Sequence, residues 1–336
     1  MADTTHVWLL EQGSPAATGA LEPWLKQRLT DPAVLPLPYL WLRVIVAWAL
    51  IRLRLRRHTE ALAALPGPAP EVGALIDLAA GLERQLGPRY RCKAVLRHGR
   101  PDAAAAAAEV PRGAQVVLLP MPVVDDATRR GLLAHARAAL APRKARLAEG
   151  GPLSAADGVL AALARGVRRA ILHLPPGASY RVLFCAFAQG EAAAPAVEDL
   201  HARLVRRLRL PGDPPLARVR PFGLGADPLA GVEPLLDGLT GAPAVVVVPL
   251  GSLTHHADVA ALQAALTPAL AARGVTEVRL ALPPADCPGL VHALYARVKA
   301  AERGMAWVVP EDAVRDAVRA ELRRQGAVWL PRESRP

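Results

Sequence analysis

The chain has 336 residues, of which 52% are hydrophobic and 21% charged, and 41 basic against 30 acidic residues give a formal net charge of +11. That length and apolar fraction exclude a wholly disordered chain and predict about two domains with real cores. The longest strongly apolar stretch, 44–51, is far short of the roughly 20 residues that cross a bilayer, which excludes a span of that kind.

The N-terminus, MADTTHVWLLEQGSP, has no basic residue ahead of its apolar run. It reads as a first strand and not an export signal, so the expected compartment is the cytoplasm. Strands are predicted at 7–11, 93–97, 115–120, 180–187, 217–221, 244–249 and 277–282. Several are continuous apolar runs, such as AVVVV, which suit parallel strands buried on both faces. Helices are predicted between them at 127–140, 196–208, 259–272 and 287–301. Strand, helix and strand at this spacing make βαβ units and a doubly wound sheet.

The strands fall into two groups, one ending near residue 142 and the other beginning near 179. The expected organisation is an α/β domain over 1–150, a Gly/Pro-bounded connecting helix over 151–178, and a second α/β domain over 179–336 with a cleft between the two. The last part, 302–336, carries a strand-like run AWVVP and an Arg-rich helix. Ligands of such sheets bind beyond the carboxyl ends of the strands, so functional residues should follow Glu11, Arg97, Pro120, Phe187, Pro221 and Pro249.

Lysine occurs only at positions 26, 93, 144 and 299, so the positive charge is nearly all arginine. Basicity suits an anionic partner. The arginines are scattered, without an aromatic platform or recognition helix, so nucleic acid is not an expected partner. Residues 35–57, LPLPYLWLRVIVAWALIRLRLRR, form a hydrophobic lip followed by a basic helix. Three readings stay open for it: an interior helix, a helix in peripheral contact with a membrane surface, or the wall of a pocket for an apolar anion.

Several chemistries lack their motifs. There is no GxGxxG after the first strand, no GxxxxGK[ST], no GxSxG elbow and no HExxH. The three cysteines, Cys92, Cys185 and Cys287, share no metal-binding or disulfide spacing and read as free thiols. His255-His256-Ala257-Asp258 is the most suggestive titratable cluster, because it follows the strand at 244–249. His255 and Asp258 share a helical face and fit a ligand pair or a carboxylate-oriented imidazole. The plainer alternative is a helix N-terminus capped by Thr254, with Asp258 favoured by the helix dipole. His98 follows the second strand, where it is either a site residue or part of a turn. Asp125 and Asp126 follow the third, where capping of the next helix is the simpler role.

Eight segments in order resemble the ferrochelatase family, whose members insert ferrous iron into a porphyrin. LLEQGSP resembles the family's LLNLGTP or LLNLGSP, and WLKQRLTDPAVLPLP its stretch ending FLSDPRVVELP. LWLRVIVAWALIRLRLRRHTEAL resembles the family's lip and RPRRSAEAY helix, VLRHGRP its MRYGNP, and VVLLPMPVVDDAT its VVLPLYPQYSAST. VRPFGLGADPLAGVEP resembles QSRFGPEPWLEP, VVVVPLGSLTHHADV resembles VVPPGFVSDCLETL, and LALPPADCPGLV resembles CLNDSPAWI. The resemblance runs from about residue 5 to about 300. It implies the class II chelatase fold: two similar Rossmann-like α/β domains, each with a four-stranded parallel sheet flanked by helices.

The departures fall on the chemistry. The family's histidine, in LFSAHGLP or LFSFHGLP, corresponds to Phe187 in LFCAFA, and phenylalanine can neither accept a pyrrole proton nor bind iron. The opposing glutamate corresponds to Asp258. Tyrosines of the family correspond to Met121, Val124, Leu62 and His98. Arg57 and Arg97 persist and would pair with propionates, since guanidinium forks suit carboxylates. The resemblance thus implies a degenerate paralogue that binds a tetrapyrrole, haem or porphyrin, without metal insertion, through Arg57, Arg97, His98, Met121 and Phe187. The alternative is an active porphyrin metal chelatase of the lyase class, using Fe2+, with Asp258 and His255 as catalytic groups and His255, His256 and Asp258 around the metal. A third reading is a scaffold, or another reaction on the same fold.

Overall fold

The computed structural model describes residues 4–304 apart from 16–19, 33, 36, 64–69, 155, 188–192, 211–213, 220–228, 230, 252, 254–256 and 284–286. Sheet A contains β1 (Thr5–Glu11), β2 (Tyr90–Leu96), β3 (Gln115–Pro120) and β4 (Arg146–Glu149), all parallel, in the order β2-β1-β3-β4. Sheet B contains β5 (Tyr180–Ala186), β6 (Leu216–Arg218), β7 (Ala244–Leu250) and β8 (Glu277–Leu280), in the order β6-β5-β7-β8. Two four-stranded parallel sheets flanked by helices are thus present, as the resemblance implies.

The central strands carry the purest apolar runs. Every residue of β1 (THVWLLE) and of β7 (AVVVVPL) is buried. In β1 the odd residues Val7 and Leu9 enter one core, and Trp8 and Leu10 enter another on the opposite face. β4, of sequence RLAE, was not among the expected strands. It has four residues, a charge at each end and an edge position, so its sequence reads as part of a charged run. The second strand starts earlier than expected, at Tyr90. For the expected strand at 217–221, β6 covers Leu216–Arg218, and 220–221 lie outside the described residues.

In sheet A's half the helices are α1 (Leu21–Thr30), α2 (Leu40–Ala63), α3 (Pro70–Leu86), α4 (Ala103–Ala108) and α5 (Ala127–Leu140). The linking helix α6 (Asp157–Leu172) falls within the expected connecting segment. The rest are α7 (Ala194–Leu208), the short α8 (Glu233–Leu236), α9 (Ala257–Ala271) and α10 (Pro288–Gly304). Helix α4 is six alanines started by Asp102, whose side chain accepts the Ala105 N–H at 2.7 Å. Asp126 caps α5 in the same way, accepting the Arg129 N–H at 2.9 Å. That agrees with the simpler role for this aspartate.

Helix α10 follows the last strand of sheet B yet packs against α3, β3 and β4 of the other half, as well as against α6. One hydrophobic cluster therefore runs through both halves, from Val7 to Ala301. Helix α2 is not an interior helix. Ala47 and Ile51 are buried against α1, while Leu40, Trp41, Ile45, Trp48 and Leu53 lie exposed on its other side. No helix among the described residues is long and apolar enough to cross a membrane.

Candidate functional site

The carboxyl ends of the two sheets meet. The Val123 N–H, just after β3, donates to the Gly251 carbonyl, just after β7, at 3.3 Å. Around this junction the strand ends are tied by backbone bonds. Met121 N–H donates to Leu10, Arg97 N–H to Glu11, and His98 N–H to Gln12, each at 2.9 Å, and Phe187 N–H to Leu250 at 3.1 Å. Gly13 makes the β1 turn possible. Its φ is +87°, and a Cβ there would sit 2.0 Å from the His98 carbonyl oxygen.

Charged side chains converge at this end of sheet A, and most are buried. Asp31, at the end of α1, holds the Arg97 guanidinium in a fork: Nη2 to Oδ1 at 2.8 Å and Nε to Oδ2 at 2.6 Å. Arg97 reaches it past Gly131, where a Cβ would lie 2.1 Å from Nη1. The His98 Nε2 is 3.4 Å from Asp31 Oδ2, and the ring is 3% exposed. Burial pushes His98 down to about 2, with Arg97, Arg28 and His135 adding to the shift, so the ring is neutral at physiological pH. Both ring nitrogens are buried without a hydrogen-bond partner among the described residues.

Arg28 of α1 reaches across to Asp258 in the first turn of α9, with Nη2 at 3.1 and 3.2 Å from the two carboxylate oxygens. The pair joins the N-terminal helices to the C-terminal half, and helix α2 packs on α9 beside it.

Glu11 ends β1 and is 5% exposed. Its Oε1 accepts the Gln12 N–H at 2.9 Å. Burial raises Glu11 to about 7; Asp258 and Asp126 add to the rise, and the Gln12 amide works against it. Its carboxyl group therefore changes charge near neutrality.

The structure does not treat the expected site residues alike. Arg97, His98 and Asp258 lie together at the strand ends, but Arg97 and Asp258 are each engaged by an internal partner. Met121 is fully buried in the core between the halves. Phe187 is half-buried at the end of β5, packed against the core on the outer face of sheet B. Arg57 lies on α2, and its side chain falls outside the described residues, as do His255 and His256 altogether. Among the described residues, no three His, Cys, Asp or Glu side chains come together in a set able to hold a metal ion. Glu11, Arg28 and Asp31 were not among the expected residues. Asp31 had a signal, the TDP of LKQRLTDP, and Glu11 had one as the charged end of an otherwise apolar strand.

A family model described as Ferrochelatase matches residues 4–189, more than half of the chain. The chain belongs to the ferrochelatase family. No curated protein matches it at a significant level. Among solved structures it is similar to a multi-domain protein of Deinococcus radiodurans described as having structural similarity to chelatases, with 15% identity and a TM-score of 0.50. That match covers 90% of this chain and only 56% of the Deinococcus chain. It is also similar to the sirohydrochlorin chelatase SirB of Bacillus subtilis subspecies spizizenii, solved in complex with cobalt. The identity is 12% and the TM-score 0.50, over 89% of this chain and 96% of that one. Identities this low speak for the fold alone, and they agree with the family membership. By family and fold the molecule is metal-chelatase-like. At the strand end where the resemblance sets the family's histidine, this ferrochelatase-family chain carries Phe187.

Proposed function

We propose that this ferrochelatase-family protein binds a tetrapyrrole, haem or porphyrin, where the carboxyl ends of its two sheets meet, and that it does not insert metal. Phe187 carries the reading: an apolar ring with no lone pair occupies the position of the family's proton acceptor. The exposed face of α2 supports an apolar ligand, since Tyr39 and Trp41 stack with ring centroids 6.1 Å apart and Trp48 lies under Arg52 at 5.6 Å. Arg57 would meet a propionate directly, and Arg97 would do so by exchanging Asp31 for the ligand's carboxylate. The same face of α2 would also give peripheral contact with an anionic bilayer.

The test is a titration of the purified chain with protoporphyrin IX and with haem, followed by absorbance, with ferrous iron then added to the porphyrin complex. A Soret shift that saturates near one equivalent, with no consumption of porphyrin, is the expected result. Absence of binding to either ligand overturns the reading.

Metal insertion by a rearranged site is the second reading, and Glu11 is the observation that favours it. A buried carboxyl that ionises near pH 7 suits proton transfer better than the neutral, enclosed His98. Catalytic loss of porphyrin in the same titration, abolished by Glu11→Gln, would replace the first reading with this one.

A further inference from the structure

A groove separate from the junction of the sheets runs along the outer edge of sheet A. It is a cavity of about 710 Å³ between α3, β2 and α4, a size that suits a small ligand. Its walls are apolar: Ile76, Ala79 and Ala80 of α3, Ala94 of β2, and Ala105 and Ala106 of α4. Ile76 is half-exposed there.

Three cations and two carboxylates also line it. Arg91 pairs with Glu83 at 3.3 Å, and Lys93 pairs with Glu109. The third cation, Arg84, is exposed and has no acidic partner among the described residues. With the two pairs cancelled, the groove sets one positive charge beside an apolar wall.

The backbone adds a donor. Arg97 N–H bonds to Glu11, so the odd residues of β2 face β1 and the even ones face outward. Of the outward N–H groups, that of Tyr90 goes to the Gly87 carbonyl, that of Cys92 to Glu83 Oε2 at 2.7 Å, and that of Leu96 to the Pro101 carbonyl. This leaves the amide of Ala94, a residue only 4% exposed, without a partner among the described residues. A buried amide left unpaired is costly, and an acceptor brought in from outside offsets that cost.

The same bonds decide what kind of occupant fits. An added strand needs a row of alternate amides, but those on either side of Ala94 along this edge, Cys92 and Leu96, are already taken. One donor and one cation suit a small molecule with a single polar head. Glu83 reaches the Cys92 amide, so its neighbour Arg84 stands along the same stretch of the groove as Ala94.

We propose that this groove is a second ligand site, for a small apolar monocarboxylate of the medium-chain fatty-acid kind. The carboxylate pairs with the Arg84 guanidinium and accepts the Ala94 N–H, and the hydrocarbon covers Ile76 and the alanines.

Hydrogen exchange on the full chain, titrated with decanoate, tests this. At saturation the Ala94 amide should exchange about tenfold slower or more, while the amides of β7 keep their rates and report that the fold is intact. Arg84→Ala should raise the decanoate concentration for half-protection about tenfold. Ala80→Trp and Ala105→Trp fill the groove from exposed positions, and in each of them decanoate should leave Ala94 exchange unchanged. Trp48→Asp, on α2, should respond as the parent does. Exchange at Ala94 that decanoate does not slow in the parent overturns the proposal. So does slowing that persists in both tryptophan variants, or that Trp48→Asp abolishes, because the ligand would then sit elsewhere. Equal slowing by decylammonium also overturns it, since the occupant would then be chosen by its chain and not by Arg84.

Discussion

Arg28 and Asp258, 230 positions apart, form an ion pair with side chains only 5% and 12% exposed. It fastens α1 to the start of α9 and occupies the one carboxylate that the family resemblance places opposite the missing histidine. Removing one partner leaves a buried charge without its counter-ion, which costs more than the pair contributes. Arg28→Ala should destabilise the fold by about 3–5 kcal/mol. The double variant Arg28→Met/Asp258→Leu should recover much of that loss. Urea unfolding of the three proteins measures it.

Glu11 gives the fold a pH dependence of known sign. Its folded pKa of about 7 lies above the reference 4.5. Between those values the folded state holds a proton that the unfolded chain has released, so stability falls as pH rises from 4.5 to 7 and is level above. Glu11→Gln should remove this loss, at most roughly 3 kcal/mol. Comparison of the variant with the parent by denaturant unfolding at pH 5 and pH 8 should show the variant gaining relative stability at the higher pH.

His98 acts in the opposite direction. Its folded pKa, about 2, lies below the reference 6.5. The unfolded chain takes up a proton below 6.5 that the folded ring refuses, so stability falls as pH drops through that range. Over the overlap of the two windows the slopes of Glu11 and His98 oppose each other. Glu11→Gln should therefore expose an acid sensitivity that is muted in the parent, and His98→Gln in the same background should reduce it, the rest coming from His6 and His135, whose pKa values burial also lowers. Unfolding midpoints at half-unit pH steps from 5 to 6.5 decide it.

Phe187→His returns the residue type of the family to the end of β5. If its absence is what prevents metal insertion, the variant should consume protoporphyrin when ferrous iron is supplied, with the parent inert. Loss of porphyrin fluorescence under anaerobic conditions is the readout. Binding without turnover in both proteins would show that the missing histidine alone does not account for the lack of metal insertion.

Trp48 is 61% exposed. Trp48→Asp should leave the unfolding midpoint nearly unchanged, as surface substitutions do, yet weaken both haem binding and co-sedimentation with anionic vesicles. A fall in stability with binding intact would place the tryptophan in the fold and not at a contact surface.

How much of this was legible in the sequence depended on range. Strands β1, β3 and β7 could be read because continuous apolar runs report burial on both faces directly. The Asp126 cap could be read because its partner is three residues away. Strand β4 could not, since its burial comes from β3 and α10 and not from its own four residues. The site divides in the same way. Arg97, His98 and Asp258 were found from strand ends and from the family resemblance. What holds them was not, because Asp31 is 66 positions from Arg97 and Arg28 is 230 from Asp258. A charge at a strand end shows in the chain; the partner that neutralises it is fixed only by the packing of α1.

Helix α10 gives the molecule a dependence on the order in which it is made. The surface of sheet A that this helix covers is formed by residues translated early, and the cover is among the last parts of the described chain to be synthesised. Until it emerges, the sides of α3, β3 and β4 that pack on α10 lack that cover. A ribosome stalled before residue 288 would thus display an N-terminal half whose strands are all present but whose core is open on one side.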